Sequence, residues 1–442
     1  MSITEQRRRE VIDALRRGTV PQQGLDVLAV GLGRFEAAVD EELDRVSSGQ
    51  AVFKAVRGEY GAGKTFFSRW LAERAKRRGF ATAEVQISEN ETPLHRLETV
   101  YRRMTERLAT AEFAPSALRP VIDSWFFALE EDVLAEGDVP DEELERRVEG
   151  LLEQRLAEVS RVAPAFSAAL RAYRRASVSD DRAVAEGLLA WLGGQPHVGA
   201  AVKRVAGIRG DLDHDGALGF LQGLLAVLTD SGHSGLLVVL DEVETLQRVR
   251  SDVRDKALNA LRQLVDDVDS GRFPGLFLVI TGTPAFFDGP QGMQRLAPLA
   301  QRLHVDFLAD PEFDNPRAVQ IRLPGFSDAS LRELGAKVRS LYLDGASDPA
   351  RISALVDDSY LAELADIVAG QFGGKVGVAP RIFVKKLVDI LDRIDQHPGF
   401  DPRRDYTVRV SAHELTAAER AAMPTPPPLP PASSVDEIDL TL

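Results

Sequence analysis

Eight residues near position 60 carry a pattern that could hold a chain of phosphates. Residues 58–65 read GEYGAGKT, a glycine, four further residues and then Gly-Lys-Thr. Glycines let such a loop turn tightly and aim its backbone N–H groups at phosphate oxygens, and the N-terminus of a following helix adds positive charge. Lys64 would reach the β- and γ-phosphates of a nucleotide, and the Thr65 hydroxyl would bind Mg²⁺. The predicted nucleotide-binding residues of this Walker A loop are Gly58, Glu59, Tyr60, Gly61, Ala62, Gly63, Lys64, Thr65 and Phe66.

An acidic pair follows a run of apolar residues in the middle of the chain. In LLVVLDEVETL, Asp241 comes directly after the apolar run, where its carboxylate would hold the shell of a magnesium ion, as in a Walker B strand. Glu242 beside it would polarise an attacking water, and phosphoryl transfer depends on such positioning and charge stabilisation. The alternative is a solvated acidic pair at a strand end, but the loop upstream favours hydrolysis. We therefore predict Glu242 and Lys64 as catalytic residues, and Thr65 and Asp241 as Mg²⁺ ligands.

Three further polar residues could sense the nucleotide. Thr281 and Thr283 in LFLVITGTPAFF end a strand next to the Asp-Glu strand, where a hydroxyl could touch the water or the γ-phosphate. The alternative for either one is a threonine in an ordinary turn. Arg381 lies in the first turn of the helix predicted for PRIFVKKL, where the helix dipole disfavours a cation unless a phosphate compensates. These three residues are the predicted sensors.

Two arginines are candidates to act on the site of a neighbouring subunit. Arg295 and Arg302 lie seven residues apart in MQRLAPLAQRL, a spacing that predicts one face of a single helix. In a ring, such an arginine would stabilise transition-state charge across the subunit interface. An exposed surface helix is the alternative, and the sequence does not separate the two arginines.

Strands and helices alternate around these residues. The loop lies between a strand and a helix, as phosphate binding requires, whereas a chance match would lack that setting. The alternation predicts an α/β fold with a three-layer, parallel, five-stranded P-loop core. The five predicted strands have the sequences AVFKAVRG, FATAEVQIS, GLLVVL, GLFLVITGT and AVQIRLPGF.

Helical patterns dominate outside the core. From about residue 114 to 230 they occur with no convincing strand, which predicts a large helical insertion. The proline-rich end, PTPPPLPPASS, is typical of an extended tether. The predicted divisions are an N-terminal helical segment (1–50), a nucleotide-binding core (51–325), a C-terminal helical lid (326–396), an extension (397–423) and a Pro-rich flexible tail (424–442).

Composition excludes several classes of protein. The absence of cysteine excludes disulfides, thiol catalysis and iron–sulfur clusters, and seven scattered histidines argue against a metal-centred enzyme. No apolar run approaches the roughly 20 residues that span a bilayer, so we expect a cytoplasmic protein without a membrane partner. The formal charge of −14 disfavours a general nucleic-acid coat and leaves room for a local basic groove.

The order of these motifs resembles the core of the AAA+ ATPases, within the ASCE class of P-loop proteins. The resemblance covers about residues 51–395 apart from the insertion, and DEVETL with the fourth strand resembles the Orc1/Cdc6-like branch. A closer likeness is to the BrxD-like ATP-binding proteins of bacterial BREX phage-defence systems. The stretches that carry it are ALRRGTVPQQGLDVLAVG, RGEYGAGKTFFSRWLAERA, ISENETPLHRLETVYRRM and LLVVLDEVETLQRVR.

The resemblance implies ATP and Mg²⁺ as cofactors and ATP hydrolysis as the activity. It implies a switch or motor in an anti-phage defence complex, a homo-oligomer (ring or dimer), a defence-associated helicase as partner, and DNA as a further candidate partner. A non-catalytic scaffold that assembles partners through ATP-dependent oligomerisation and its C-terminal tail is the alternative. Of the three functions considered, a phosphotransferase ranks last. It would need a small pocket for the acceptor, whereas the sequence predicts a multi-helix lid and an Asp-Glu strand.

Overall fold

The computed structural model describes residues 3–137, 140–372, 380–415 and 420. The chain divides into two compact units, one of residues 20–324 and one that joins residues 1–19 to residues 325–442. The predicted Pro-rich tail lies outside the described residues. No helix in the part of the chain that the structure describes combines the length and apolarity needed to cross a membrane.

One five-stranded sheet organises the larger unit. Its strands all run parallel, in the spatial order β2-β3-β4-β1-β5. The strands are β1 (Val52–Arg57), β2 (Ala81–Gln86), β3 (Leu236–Asp241), β4 (Leu276–Gly282) and β5 (Gln320–Arg322). Helices cover both faces of this sheet, so the predicted α/β, three-layer P-loop fold is confirmed.

Helices make up most of the remaining described chain. In chain order they are α1 (Glu5–Arg16), α2 (Gly33–Ser47), α3 (Lys64–Arg77), α4 (Leu97–Arg107), α5 (Leu118–Ala135), α6 (Asp141–Arg155), α7 (Ala157–Val162), α8 (Pro164–Val178), α9 (Arg182–Leu192), α10 (Ala200–Val205), α11 (His214–Asp230), α12 (Ser251–Asp269), α13 (Pro284–Asp288), α14 (Ala297–Arg302), α15 (Asp328–Leu343), α16 (Pro349–Leu355), α17 (Asp358–Gln371), α18 (Pro380–Gln396) and α19 (Pro402–Asp405). Short 3-10 helices occupy Leu25–Leu28, Val243–Gln247, Met293–Arg295, Pro311–Phe313 and Ala412–Glu414. Between residues 114 and 230 the described chain contains helices and no strand.

Burial explains why the central strands are continuous apolar runs. Every residue of β3 and β4 is buried, because neighbouring strands flank each of them and helices cover both faces. One face packs on α2 and α3 through Phe35, Phe67 and Trp70. The other face packs on α4, α11 and α12 and is continuous with the helices of the insertion. Strands of a parallel sheet that is buried on both faces therefore need not alternate apolar and polar residues.

The smaller unit is a helical cluster to which the N-terminal helix contributes. Helix α1 packs against α15 and α18. The Arg16 guanidinium donates to both carboxylate oxygens of Asp392, at 2.7 and 2.8 Å, and the Tyr342 hydroxyl donates to the same carboxylate at 2.8 Å. This bidentate pair joins residues that are 376 positions apart.

A buried ion pair links α2 to β1 in the larger unit. Lys54 and Glu42 form this pair, and their side chains are only 4% and 9% exposed. The Lys54 ammonium also donates to the carbonyl oxygens of Pro316 (3.1 Å) and Ala318 (2.9 Å). Burial raises the pKa of the Glu42 carboxyl and lowers that of the Lys54 ammonium, and the opposite charge of each partner counters the shift. The pair therefore depends on both members being present.

Replacing Lys54 by methionine will leave the Glu42 carboxyl buried without its cation. We expect Lys54→Met to lower the free energy of unfolding by about 3 kcal/mol, whereas Lys54→Met with Glu42→Leu regains most of that loss. Urea unfolding followed by circular dichroism measures both. Arg9→Met, which breaks an exposed pair with Glu5, is the control and will change stability by less than about 1 kcal/mol. A double variant no more stable than Lys54→Met contradicts this account.

Candidate nucleotide-binding site

The loop between β1 and α3 has a backbone that requires its glycines. Gly61 and Gly63 have φ values of +81° and +86°, in the left-handed region that residues with a Cβ rarely adopt. A Cβ on Gly58 would lie 3.1 Å from the Cβ of Ala62, closer than ordinary packing allows. The loop therefore closes tightly at both of its ends, as the sequence pattern predicts.

Lys64 lies inside the curve of this loop. Its ammonium donates to the carbonyl oxygens of Gly58 (2.9 Å) and Glu59 (3.4 Å) and lies 5.2 Å from the centre of the Tyr60 ring. The side chain is only 9% exposed, whereas Tyr60 is 42% exposed and forms the outer side of the loop. Phe66, two residues after Lys64, is partly buried and packs against the core that covers α3. The loop thus places one cation at the N-terminus of α3, where that helix attracts anions.

Thr65, Asp241 and Thr281 meet where three elements end or begin. The Thr65 hydroxyl on α3 donates to the carboxylate of Asp241 at 3.3 Å, and the Thr281 hydroxyl on β4 donates to the other oxygen of the same carboxylate. The Asp241 side chain belongs to the last residue of β3 and is buried. Hydroxyl and carboxylate oxygens are the hard donors that Mg²⁺ prefers, so these residues fit a magnesium ion.

Glu242 follows Asp241 in an unusual backbone conformation. Its φ of +61° is left-handed, which costs of order 1–3 kcal/mol for a residue other than glycine. Its N–H lies 3.1 Å from the Asp241 carboxylate and 3.3 Å from the Thr281 hydroxyl, two contacts that hold the strained turn. Its carboxylate accepts a 2.9 Å hydrogen bond from the amide of Gln86. Gln86 is the last residue of β2 and lies beside Asp241 in the strand register. In the sequence, the polar residue at the C-terminal end of β2 could have indicated Gln86 as a residue of the site.

A third carboxylate, which we did not predict from the sequence, lies under the loop. Glu244 is 5% exposed, and one of its oxygens lies 3.8 Å from the Lys64 ammonium. Burial raises the pKa of the Glu244 carboxyl, and the nearby lysine counters that shift. Its other oxygen is buried and has no hydrogen-bond partner among the described residues. In the sequence, the position of Glu244 two residues after Glu242 in DEVETL could have indicated that it belongs to the site.

One arginine holds the segment that carries Glu244. Residues Val243–Gln247 form a 3-10 helix, and the Arg254 guanidinium donates to the carbonyl oxygens of Leu246 (3.0 Å), Gln247 (2.9 Å) and Val249 (2.8 Å). Arg254 is itself buried, on α12. It therefore supplies donors for the carbonyls at the end of a short helix, which would otherwise lack them.

No hydrogen bond or ion pair within the described chain joins the remaining predicted residues of the larger unit to this cluster. Thr283 is buried as the N-cap of α13 and makes no side-chain capping bond. Arg295 and Arg302 bind α12 instead. Arg295 donates to the Ser251 hydroxyl (2.7 Å) and pairs with Asp255. Arg302 pairs with Asp266 at 2.5 Å.

The single helix predicted for the two arginines is wrong. Arg295 ends the 3-10 helix Met293–Arg295, Leu296 is extended with φ −117° and ψ +90°, and α14 then begins at Ala297. Pro298, in the first turn of α14, is the reason. Its ring removes an N–H and clashes with the preceding turn, so the proline can begin this helix but could not lie in its interior.

Arg381 belongs to the smaller unit. It follows Pro380 at the start of α18, and its guanidinium donates to the backbone carbonyl oxygen of Glu414. The neighbouring Lys386 donates to the Glu414 carboxylate at 2.9 and 3.0 Å. Arg381, which we predicted in the first turn of a helix, thus has a hydrogen-bond acceptor within its own unit.

Two solved structures resemble this chain distantly. A solved structure of the Aeropyrum pernix ORC2 protein (ADPNP-ADP complexes) is similar at 13% identity and a TM-score of 0.36, covering 81% of this chain and 67% of that one. The A. pernix ORC1 protein in complex with DNA is similar at 14% identity and a TM-score of 0.32, covering 89% of this chain and 66% of that one. This chain thus spans about two thirds of the length of each. No curated protein sequence gives a significant match.

A protein-family model gives the more extensive match. The model described as "BREX system ATP-binding protein BrxC/D" matches residues 3–410 of the 442. That match includes the loop, the Asp-Glu strand end and every described helix up to α19. The chain therefore belongs to the BREX system ATP-binding protein BrxC/D family.

Proposed function

We propose that this chain hydrolyses ATP with Mg²⁺ and acts as a switch or motor in a bacterial anti-phage defence complex. The observation that carries the proposal is the 3.3 Å contact between the Thr65 hydroxyl and the Asp241 carboxylate, with Glu242 next along the chain. It brings the phosphate-binding loop against a carboxylate pair at a strand end. A protein that only held a nucleotide would not need a second carboxylate at this place.

Each residue of the cluster has a distinct part in this proposal. Lys64 and the loop N–H groups would bind the β- and γ-phosphates, and Thr65 and Asp241 would hold the magnesium ion, which neutralises charge on the phosphate oxygens. Glu242 would accept a proton from the water that attacks the γ-phosphorus, as the bond to the ADP oxygen breaks. Thr281 would keep the Asp241 carboxylate oriented.

Membership of a BREX family supports the partners proposed here, which the site itself does not identify. We propose a homo-oligomer in which Arg295 or Arg302 completes a neighbour's site, with Thr283 and Arg381 as further nucleotide sensors. We propose a defence-associated helicase as the protein partner and DNA as the substrate on which both act. Hydrolysis would then reset the contact with the helicase.

A non-catalytic scaffold is the second candidate. The hydrogen bond from Gln86 to the Glu242 carboxylate favours it, because a carboxylate already bonded to an amide is less available to water. ATP would then stabilise an assembly and dissociate without being hydrolysed. Turnover decides between the two candidates.

Replacing Glu242 by glutamine will separate binding from hydrolysis. We expect Glu242→Gln to lower phosphate release about 100-fold or more while ATP still binds, because the amide keeps the shape of the side chain and cannot take a proton. Phosphate release with Mg·ATP and titration with a fluorescent ATP analogue measure the two properties. Glu89→Gln, an exposed carboxylate beyond β2, is the control and will leave both unchanged. If the unaltered protein releases no more phosphate than Glu242→Gln, even with helicase and DNA present, the scaffold replaces the ATPase.

Mixed assemblies will show whether an arginine acts across a subunit interface. We expect Arg295→Ala or Arg302→Ala to lower turnover without weakening ATP binding, since the side chain would touch only a neighbour's transition state. Mixing that variant with Glu242→Gln will restore part of the turnover, because each subunit supplies what the other lacks. Phosphate release across a mixing series measures this. If each mixture shows only the turnover expected from diluting one variant with the other, the arginine takes no part in the reaction.

A further inference from the structure

The Glu244 carboxylate is buried beside the phosphate-binding loop, and the chain satisfies only part of it. One oxygen lies 3.8 Å from the Lys64 ammonium, which is the one ion-pair partner of Glu244 within the described chain. The backbone N–H of Glu244 itself also favours the charged carboxylate. The other oxygen is buried and accepts no hydrogen bond from a described residue. Because a buried charge costs free energy unless it is paired, this carboxylate depends on Lys64.

Lys64, in contrast, does not depend on Glu244 for its orientation. Its ammonium donates to the carbonyl oxygens of Gly58 at 2.9 Å and Glu59 at 3.4 Å. The 3.8 Å separation from Glu244 is longer than a hydrogen bond, so this contact is one between charges. Two backbone acceptors therefore orient the ammonium, and the carboxylate attracts it.

The segment that carries Glu244 is fixed on both sides of it. Val243 and Leu246 are buried in the core. The Thr245 hydroxyl donates to the carbonyl oxygen of Ile87, just beyond β2, at 3.3 Å. The Glu244 carboxylate is thus held beside the loop by its own backbone, and it cannot turn to solvent without disturbing this packing.

A bound nucleotide would bring further negative charge to the same cation. The β- and γ-phosphates of a nucleotide in this loop would need the donors of Lys64. The Glu244 carboxylate has the same sign as the phosphates and already lies 3.8 Å from that ammonium. Charges a few ångströms apart interact strongly where water is largely excluded, so the carboxylate opposes phosphate binding.

We propose that Glu244 competes with the β- and γ-phosphates for the Lys64 ammonium and thereby speeds the release of nucleotide. Glu244 is then a positioning residue, which acts on the nucleotide through Lys64 and takes no proton from the attacking water. When ADP leaves, the pair with Lys64 regains its full strength, which favours departure. The inference rests on the proposed binding of nucleotide at the loop and does not require hydrolysis.

A purely structural role for Glu244 predicts different results. If the carboxylate only stabilised the fold, its removal would lower stability and loosen the loop, so stability and nucleotide affinity would fall together. In the role proposed here, Glu244→Gln leaves Lys64 without its counter-charge. The ammonium then binds phosphates more tightly, even where the nucleotide-free protein loses stability. The sign of the change in affinity therefore separates the two roles.

Nucleotide titrations on the full chain measure this sign. The probes are N-methylanthraniloyl-ADP and N-methylanthraniloyl-ATP with Mg²⁺. We expect Glu244→Gln to bind both about fivefold more tightly or better, and to release the ADP probe more slowly by a similar factor in stopped-flow experiments. Glu149→Gln, which removes an exposed carboxylate on α6, is the control and will stay within about twofold of the unaltered protein.

Two further measurements show whether the effect is one of charge and acts through Lys64. Glu244→Asp keeps the charge and will bind ADP within about twofold of the unaltered protein, because the attraction to Lys64 remains. AMP lacks the β-phosphate that Lys64 would reach. It will therefore displace the probe equally well, or equally poorly, from the unaltered protein and from Glu244→Gln.

Unchanged or weaker binding of ADP by Glu244→Gln overturns the inference, and so does a gain for AMP as large as that for ADP. A Glu244→Gln chain that does not fold assigns Glu244 a structural role and overturns it equally. If the unaltered protein releases no phosphate while Glu244→Gln binds ADP more tightly, the proposal of hydrolysis fails alone. Turnover by the unaltered protein without tighter binding by the variant contradicts only the inference about Glu244. No nucleotide binding by the unaltered protein overturns both.

Discussion

The contact between Thr65 and Asp241 depends on the strand register of a parallel sheet. Helix α3 begins where β1 ends, and β3 ends at Asp241, so the order β2-β3-β4-β1-β5 brings two segments together that lie 176 residues apart in sequence. Strand β4 lies between them and supplies Thr281, whose hydroxyl fixes the same carboxylate. Any slip of one residue would turn these side chains to the opposite face.

The large insertion is compatible with this register because it begins and ends at the same side of the sheet. It leaves after α4 and returns through α11, and both helices pack against the sheet and against each other. Lengthening a connection costs little free energy, about 0.6 kcal/mol for each doubling of its length. The site therefore tolerates a long excursion that enters no part of its geometry.

Sequence patterns predicted the parts of the site that are local. The loop needs its glycines for its own backbone, and Asp241 follows an apolar run that only a buried strand explains. The break before Pro298 was equally local, yet the seven-residue spacing of the arginines predicted one continuous helix. The burial of Glu244 could not be predicted, since it depends on Arg254 holding a 3-10 helix. Nor could the pairing of Arg16 with Asp392, because no local pattern connects the two ends of a chain.

The strand order also has a consequence for how the protein is made. Strands β1 and β2 leave the ribosome first, yet neither neighbours the other in the sheet: β2 pairs with β3, and β1 pairs with β4 and β5. At the usual speed of synthesis, about 5–20 residues per second, the roughly 150 residues between β2 and β3 take on the order of ten seconds. During that time no pair of sheet strands can form. The helices of the insertion, whose contacts are mostly between sequence neighbours, are the part of the larger unit able to fold while the first two strands wait for the third.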